Sequence, residues 1–173
     1  MRIAGIETAR LSLVPLAVEH ADEMAEVLSD PALHRFTGGV PLAAQALRAR
    51  YARLVAGSPD PSGTWWNWVI RLRAEDALTG TVQATLGSGG RGPAAEVAWV
   101  VGTPWQGRGI ASEAARALVA WLREQGVRVI RAHIHPDHHA SAAVAAAAGL
   151  APTGHRHEGE IRWELAPERP GHG

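Results

Sequence analysis

The sequence predicts an α+β domain built around one mixed β-sheet, and two observations support this class. Segments in which apolar and polar residues alternate, as in β-strands, are interspersed with segments whose apolar residues recur at helical spacing. Their order is one strand, two helices, three strands, one helix, one strand, one helix and two strands. Such an order is typical of helices that pack on the faces of a single sheet.

The first part of the chain contains one predicted strand and two predicted helices. The segment "TARLSLVPL" alternates apolar and polar residues, and Pro15 ends the strand. The segment "VEHADEMAEVLSD" has the spacing of an amphipathic helix, which an Asp-Pro pair closes. A second helix is predicted over Leu42–Ala56, because Leu47, Tyr51 and Leu54 recur at helical spacing.

The remaining elements follow a loop, "GSPDPSG". Three strands are predicted at "TWWNWVIRL", "ALTGTVQATL" and "AAEVAWVV", and the Gly-rich turn "GSGGRGP" joins the last two. The longest helix begins after Gly109 and ends at Gln125, with Gly126 as its C-terminal cap. A strand "VRVIRAHIH", a short Ala-rich helix closed by Gly149, and strands near "APTGHRH" and "EIRWEL" complete the prediction.

Length and composition predict one domain over residues 1–173, with a frayed tail at 167–173. The chain is 46% hydrophobic and 20% charged, which is close to the average of soluble globular proteins. Seventeen basic residues, all of them Arg, balance seventeen acidic ones. A net charge of zero gives no general electrostatic reason to expect a nucleic-acid or membrane partner.

Cysteine is absent, which excludes disulfides, thiolate metal sites and a cysteine nucleophile. The first residues lack the long apolar core of a signal peptide, and no apolar span reaches about 18 residues. The simplest expectation is a soluble cytoplasmic protein.

The segment "WQGRGIASEA" places Gly107 and Gly109 on either side of Arg108, at the start of the longest helix. It is either a tight turn that enters a helix or a binding site for a phosphorylated ligand, because helix starts offer unpaired N–H donors. A Rossmann fingerprint requires a third glycine where Ser112 stands, and a Walker loop requires a lysine, which the chain lacks. The pattern that remains is Gln/Arg-x-x-Gly-x-Gly/Ala over Gln106–Ala111.

This stretch resembles the acyl-coenzyme A loop of the GNAT family of N-acetyltransferases. More narrowly, "EVAWVVGTPWQGRGIASEA" is similar to the RimJ/RimL-type branch of that family. The opening "ETARLSLVPL" resembles that branch's first strand, and "HPDHHASAAVAAAAGLAPTG" resembles its closing element. The resemblance covers nearly the whole chain. It implies a mixed, mostly antiparallel central sheet of about seven strands flanked by about four helices, and a homodimer.

The resemblance also implies acetyl-coenzyme A as co-substrate. Successive backbone N–H groups of the loop would face the pyrophosphate, and the small residues would permit a close approach. Arg108 either adds positive charge or points to solvent. In the family, the preceding strand splays from its neighbour and pairs with the pantetheine arm. The residues so assigned to coenzyme A are Trp99, Val101, Gln106, Gly107, Arg108, Gly109, Ile110, Ala111, Ser112 and His138.

Two residues are predicted to be catalytic. Glu96 lies where the resemblance implies a glutamate base, and its alternative is a strand-edge carboxylate paired with an Arg. Ser141 matches a family serine that donates to the departing thiolate, and its alternative is an ordinary residue of a first helical turn. The family's usual tyrosine acid is replaced by Ala145, and His138 replaces the family's Asn. Glu113 suits the helix dipole and is predicted to fix the loop.

Four residues are predicted to bind the acceptor amine. Trp66 and Trp68 share one face of their strand and either wall the acceptor pocket or belong to the sheet core. Phe36 lies in a segment that borders the acceptor site in the resembling fold. His135 belongs to the segment "HIHPDHH", whose histidines either line the cleft or bind a metal, but no nearby residue completes a ligand set, so no metal is expected.

The leading functional hypothesis is therefore transfer of an acetyl group from acetyl-coenzyme A to a primary amine, by direct attack in a ternary complex. The acceptor would be a protein N-terminus, an amino acid or an amine-bearing small molecule such as an antibiotic. One alternative is a non-catalytic sensor that binds coenzyme A, since the usual acid is missing at Ala145. A further alternative is a His-rich metal-binding protein.

Overall fold

A computed structural model describes residues 2–89 and 92–166, and the predicted α+β class is confirmed. The described residues form one sheet of eight strands in the order β1-β2-β3-β4-β5-β6-β8-β7, with four α-helices. Neighbouring strands are antiparallel except β5 and β6, which are parallel. The strands are β1 (Ile6–Glu7), β2 (Leu11–Pro15), β3 (Thr64–Leu72), β4 (Ala77–Gly89), β5 (Gly92–Val101), β6 (Val129–Ile134), β7 (Leu150–His157) and β8 (Glu160–Leu165). The helices are α1 (Ala21–Val27), α2 (Ala44–Ala56), α3 (Ile110–Glu124) and α4 (His139–Ala147).

The predicted elements agree with the observed ones, with one strand added. Strand β1 was not predicted, because two residues are too few to show an alternating pattern. Helix α3 ends at Glu124 and Gly126 follows with φ +87°, as a C-terminal glycine cap requires. The predicted tail 167–173 and residues 90–91 of the predicted Gly-rich turn lie outside the described residues.

Helix α3 covers one face of the sheet because its apolar residues recur every four positions. Ile110, Ala114, Leu118 and Leu122 are each at most 1% exposed, and they belong to the larger of two core clusters. This stripe buries the helix along its whole length, so the position of its first turn relative to β5 is fixed by packing.

Helices α1 and α2 cover only part of the opposite face. Met24, Leu47 and Tyr51 pack there with Val69 of β3 and Leu78 of β4. Farther along the same face, the side chains of β4 and β5 are exposed to solvent, and they include Gln83, Thr85, Glu96 and Ala98. The uncovered part of the sheet therefore lies beside β5 and β6.

Strands β5 and β6 separate within the sheet. They pair over only three positions, which end at Glu96 opposite Arg131. Strand β5 nevertheless stays paired with β4 as far as Val101. Beyond Glu96 the two strands therefore diverge, and we call the resulting gap between residues 97–101 of β5 and residues 132–134 of β6 the cleft.

Candidate active site

Strand β5 presents backbone groups to the cleft. The N–H of Gly102 donates to the carbonyl of Thr79 at 2.8 Å, so the backbone groups of every second residue of β5 face β4. By this alternation, the backbone groups of Trp99 and Val101 face the cleft. The Val101 carbonyl accepts a hydrogen bond from the Gln106 side-chain amide at 3.0 Å. The Trp99 N–H and carbonyl have no strand partner there in the described part of the chain.

The loop before α3 has the backbone conformation that its glycines predict. Gly107 and Gly109 have φ of +76° and +77°, in the left-handed region that glycine adopts without strain. Gly109 is the N-cap of α3 and supplies no side-chain hydrogen bond. Ile110 is buried, so only its backbone can face a ligand. The first backbone N–H groups of α3 can therefore donate hydrogen bonds to an anion, as they do at many phosphate-binding sites.

Arg10 and Glu113 brace this loop from behind. The Glu113 carboxylate accepts hydrogen bonds from the Thr8 hydroxyl at 2.6 Å, from the Arg10 Nε at 2.8 Å and from the Arg10 backbone at 3.1 Å. The Arg10 Nη1 also donates to the Arg108 carbonyl at 3.0 Å. Partial burial alone raises the pKa of Glu113, but the hydrogen bonds from Thr8 and Arg10 outweigh it and lower that pKa. The sequence pointed to Glu113 but not to Arg10, which is distant along the chain.

The Arg108 side chain forms an ion pair with Glu75. Its Nη2 contacts Glu75 Oε2 at 2.6 Å, and Glu75 Oε1 accepts a hydrogen bond from Trp105 Nε1 at 3.2 Å. These hydrogen bonds lower the pKa of Glu75, and the bond from Arg108 has the largest effect. The Arg108 side chain is 43% exposed, so solvent screens this ion pair.

Glu96 lies where the cleft begins, and its carboxylate is held by a histidine rather than by an Arg. Its Oε1 is 2.7 Å from His133 Nδ1, and the Arg162 Nε donates to His133 Nε2 at 3.3 Å. The His133 side chain is 10% exposed, whereas that of Glu96 is 55% exposed. The sequence singled out His133 only as one histidine of the segment "HIHPDHH" and gave no signal for Arg162 or for their contact with Glu96, because the three side chains come from three different strands.

Ser141 and His138 form a second hydrogen-bonded group at the start of α4. His138 is the N-cap of α4, since its Nδ1 accepts the Ser141 backbone N–H at 3.3 Å. The Ser141 hydroxyl lies 3.1 Å from His138 Nε2. Burial, then the neighbouring charges of His135 and His139, lower the pKa of His138.

The four predicted acceptor residues fall into two groups. Phe36 stacks on His138 with ring centroids 4.5 Å apart, and it contacts the His135 ring at 5.0 Å. Trp66 and Trp68 are 6% and 0% exposed, and they pack with α3 in the core. The prediction that these tryptophans wall an acceptor pocket is therefore wrong, since their face of β3 is the one that α3 covers.

Two further features concern metals and membranes. Within residues 2–89 and 92–166, no three His, Asp or Glu side chains are grouped so that they could hold a metal ion. No helix in that part of the chain is long and apolar enough to cross a membrane.

Comparison with known proteins identifies the class. The family model described as "Acetyltransferase (GNAT) domain" matches residues 10–151. The chain therefore belongs to the GNAT acetyltransferase family and is an acyltransferase. A search of curated proteins gave no match.

Solved structures of other proteins share the fold over nearly their whole length. A GNAT-family acetyltransferase from Bacillus anthracis is 20% identical, with a TM-score of 0.72, 93% of this chain covered and 95% of that one. RimL, a ribosomal L7/L12 alpha-N-protein acetyltransferase, is 17% identical, with a TM-score of 0.76 and coverages of 95% and 94%. The microcin C7 self immunity acetyltransferase MccE, in complex with acetyl-CoA and AMP, is 13% identical, with a TM-score of 0.74 and coverages of 91% and 92%.

Proposed function

We propose that this protein transfers the acetyl group of acetyl-coenzyme A to a primary amine by direct attack in a ternary complex. The observation that carries the proposal is the cleft between β5 and β6, with the glycine-capped start of α3 at one end and Glu96 at the other. A phosphate-binding loop and a carboxylate on either side of an open strand edge suit a long ligand with a phosphorylated end and a reactive end.

The proposed coenzyme A site consists mainly of backbone. The N–H groups from Gly107 to Ala111 and of Ser112 would meet the pyrophosphate, and the cleft-facing groups of Trp99 and Val101 would pair with the amides of the pantetheine arm. Arg108 would add charge after exchanging Glu75 for a phosphate. Gln106 contributes indirectly, because its amide holds the Val101 carbonyl.

The chemistry requires a neutral amine. An alkylamine has a reference pKa of about 10.4, so most of the amine is protonated at pH 7. In our proposal Glu96 takes one proton from the ammonium form of the acceptor, and the neutral nitrogen then attacks the acetyl carbon. The second proton, which the nitrogen loses as the amide forms, passes to the coenzyme A sulfur. The carbon–sulfur bond then breaks, and the Ser141 hydroxyl donates a hydrogen bond to the departing sulfur.

The acceptor would enter over the uncovered part of the sheet, beside Phe36 and His135. RimL is named as an acetyltransferase of a ribosomal protein and MccE as an acetyltransferase of self immunity to microcin C7, so proteins of this fold differ in the roles for which they are named. We propose a peptide or small-molecule amine as acceptor. We also propose that the protein acts in the cytoplasm as a homodimer, and light scattering at micromolar concentration would test the dimer.

Ligand binding tests the first half of the proposal. Acetyl-coenzyme A or desulfo-coenzyme A should raise the melting temperature, because a ligand that binds only the folded state stabilises it by mass action. NAD and ATP, which also carry phosphates, serve as controls and should shift it little. A larger shift with NAD than with coenzyme A would contradict the proposed site.

Glu96→Gln tests the second half. The substitution keeps shape and hydrogen-bonding capacity but removes the base, so turnover at pH 7 should fall by about 10²- to 10⁴-fold with unchanged coenzyme A affinity. The deficit should shrink as the pH approaches the pKa of the acceptor amine, because more of the amine is then already neutral. Coenzyme A binding without turnover of any amine by the parent protein would instead favour a sensor, the alternative that Ala145 raises.

A further inference from the structure

Three neighbouring strands bring Arg162, His133 and Glu96 into one hydrogen-bonded row at the start of the cleft. Arg162 of β8 and His133 of β6 are paired directly across the two strands. Glu96 lies on β5, the strand on the other side of β6, and it is paired with Arg131 of β6. The contacts are 3.3 Å from Arg162 Nε to His133 Nε2 and 2.7 Å from His133 Nδ1 to Glu96 Oε1.

The arginine determines which nitrogen of His133 carries a proton. A guanidinium only donates hydrogen bonds, so His133 Nε2 must accept and is unprotonated. The ring therefore carries its proton on Nδ1 and donates it to Glu96 Oε1. Both ring nitrogens are thus engaged, and His133 has no lone pair left for a substrate. Glu96 Oε2, in contrast, has no hydrogen-bond partner among residues 2–89 and 92–166.

The other charged groups around this row do not compete for Glu96. Arg131 of β6 is paired with Glu164 of β8 at 3.0 Å. On the other side, β4 places the uncharged Thr85 opposite Glu96. From β7, the His157 ring contacts the His133 ring, with 5.5 Å between the ring centroids. His133 is therefore the group that holds the orientation of Glu96.

We propose that His133, locked by Arg162, is a positioning residue that fixes the Glu96 carboxylate with Oε2 turned toward the acceptor amine. This inference rests on the proposed role of Glu96 as base. The amine proton passes to Oε2, while His133 keeps its own proton on Nδ1 throughout. A carboxylate that is held at one oxygen needs little reorientation when the amine arrives, which is the advantage of a preorganised site.

A pair of His133 variants tests the inference. His133→Asn places an amide N–H close to the position of Nδ1 and keeps the donor, whereas His133→Leu removes it. His133→Leu should lower kcat roughly tenfold to a hundredfold, the effect of losing one hydrogen bond to a charged group. The KM for acetyl-coenzyme A should not change, and His133→Asn should recover most of kcat. A His133 that served as the base would lose activity equally in both variants, and this result would overturn the inference.

Further variants separate this inference from the proposed function. In a Glu96→Gln background, His133→Leu should cause no additional loss, because the two residues act on one proton transfer. If Glu96→Gln is slow but His133→Leu turns over at the parent rate, only the present inference fails. If Glu96→Gln itself turns over at the parent rate, the proposed function of Glu96 fails first. If His133→Leu does not fold, Arg162→Leu provides the test, because it removes the hydrogen bond that locks the His133 ring. Arg162→Leu should lower kcat in the parent protein but not in the His133→Asn variant. An equal loss of kcat in both would also overturn the inference.

Discussion

His133 and His138 carry their single proton on opposite ring nitrogens, because their partners differ. Arg162 donates to Nε2 of His133, so that ring donates from Nδ1. The Ser141 backbone N–H donates to Nδ1 of His138, so this ring donates from Nε2 to the Ser141 hydroxyl oxygen. The hydroxyl's own proton is then left for another acceptor. In the proposed reaction that acceptor is the departing sulfur.

Replacing Ser141 with Ala should therefore slow the loss of the thiolate rather than the activation of the amine. We expect turnover to fall roughly tenfold, since one hydrogen bond to a charged group is removed. Raising the pH should not restore it, because the fraction of neutral amine does not limit this step. A pH–rate profile of Ser141→Ala beside that of Glu96→Gln measures the difference. Recovery of Ser141→Ala at high pH would place Ser141 on the amine side of the reaction.

Sequence reasoning identified the catalytic candidates Glu96 and Ser141 but not the contacts that His133 and His138 make with them. Motif positions can be recognised along the chain, whereas the contact between Glu96 and His133 joins residues 37 apart, and the sheet register creates it. The error at Trp66 and Trp68 has a related cause. Alternation tells which residues share a face of a strand, but only tertiary packing decides which face α3 covers.

Helix α3 and its loop act as one element, since the left-handed glycine and the first helical N–H groups are consecutive. An added Cβ at Gly109 would stand 3.4 Å from Arg10 Nη2, in a backbone conformation that disfavours side chains. Gly126 at the other end of the same helix has φ +87° and no neighbouring atom within 4 Å of an added Cβ. The two glycines therefore offer a matched pair, alike in backbone strain and different in their distance from the proposed ligand.

Gly109→Val should abolish coenzyme A binding in calorimetry, because the side chain would crowd Arg10 behind the loop and force the loop out of the backbone conformation that aims its N–H groups at the pyrophosphate. Gly126→Val should leave that affinity unchanged. Both variants should lose stability by about 1–2 kcal/mol from the strained backbone, and denaturant unfolding measures this loss. If Gly109→Val bound coenzyme A as well as Gly126→Val does, the stretch would be an ordinary helix start.

The ends of elements could be predicted where a local signal marks them. Glycines mark the ends of α3 and α4, and the predicted bounds of β3 coincide with the observed Thr64–Leu72. The separation of β5 from β6 has no such local signal. This separation was predicted from the family resemblance alone. The residue pattern of a strand shows which of its side chains are buried, but it does not show where the neighbouring strand diverges.

At the scale of the whole molecule, two half-buried histidines serve as hydrogen-bond acceptors at helix starts. His20 Nδ1 accepts the backbone N–H of Ala17, three residues before it in the turn that leads into α1, at 2.9 Å. His138 Nδ1 accepts the backbone N–H of Ser141, three residues after it in α4, at 3.3 Å. Burial is the largest cause that lowers the pKa of each. A protonated ring cannot accept a hydrogen bond, so both of these hydrogen bonds depend on the uncharged form of the histidine.

The protein should therefore lose stability on mild acidification. A histidine whose folded-state pKa is lowered binds fewer protons in the folded state than in the unfolded state. The free energy of unfolding then rises with pH between the folded value and the unfolded value near 6.5. The stabilisation is complete above about pH 7 and is lost as the pH falls through this window. The carboxylates with lowered pKa, among them Glu75 and Glu113, act in a separate window below their ordinary values near 4.5.

Urea unfolding at several pH values from 7.5 to about 5.5, a range that crosses the unfolded-state histidine pKa near 6.5, would measure this slope. In the double variant His20→Asn, His138→Asn the slope should be reduced, while stability at pH 7.5 should change little. The Asn side-chain oxygen still accepts a backbone N–H but does not titrate, so the variant keeps an acceptor at both positions and removes its pH dependence. A single-site His139→Asn variant is the control, because His139 is exposed and accepts no such bond. An unchanged slope in the double variant would mean that the acid sensitivity of the fold arises elsewhere than in these two helix starts.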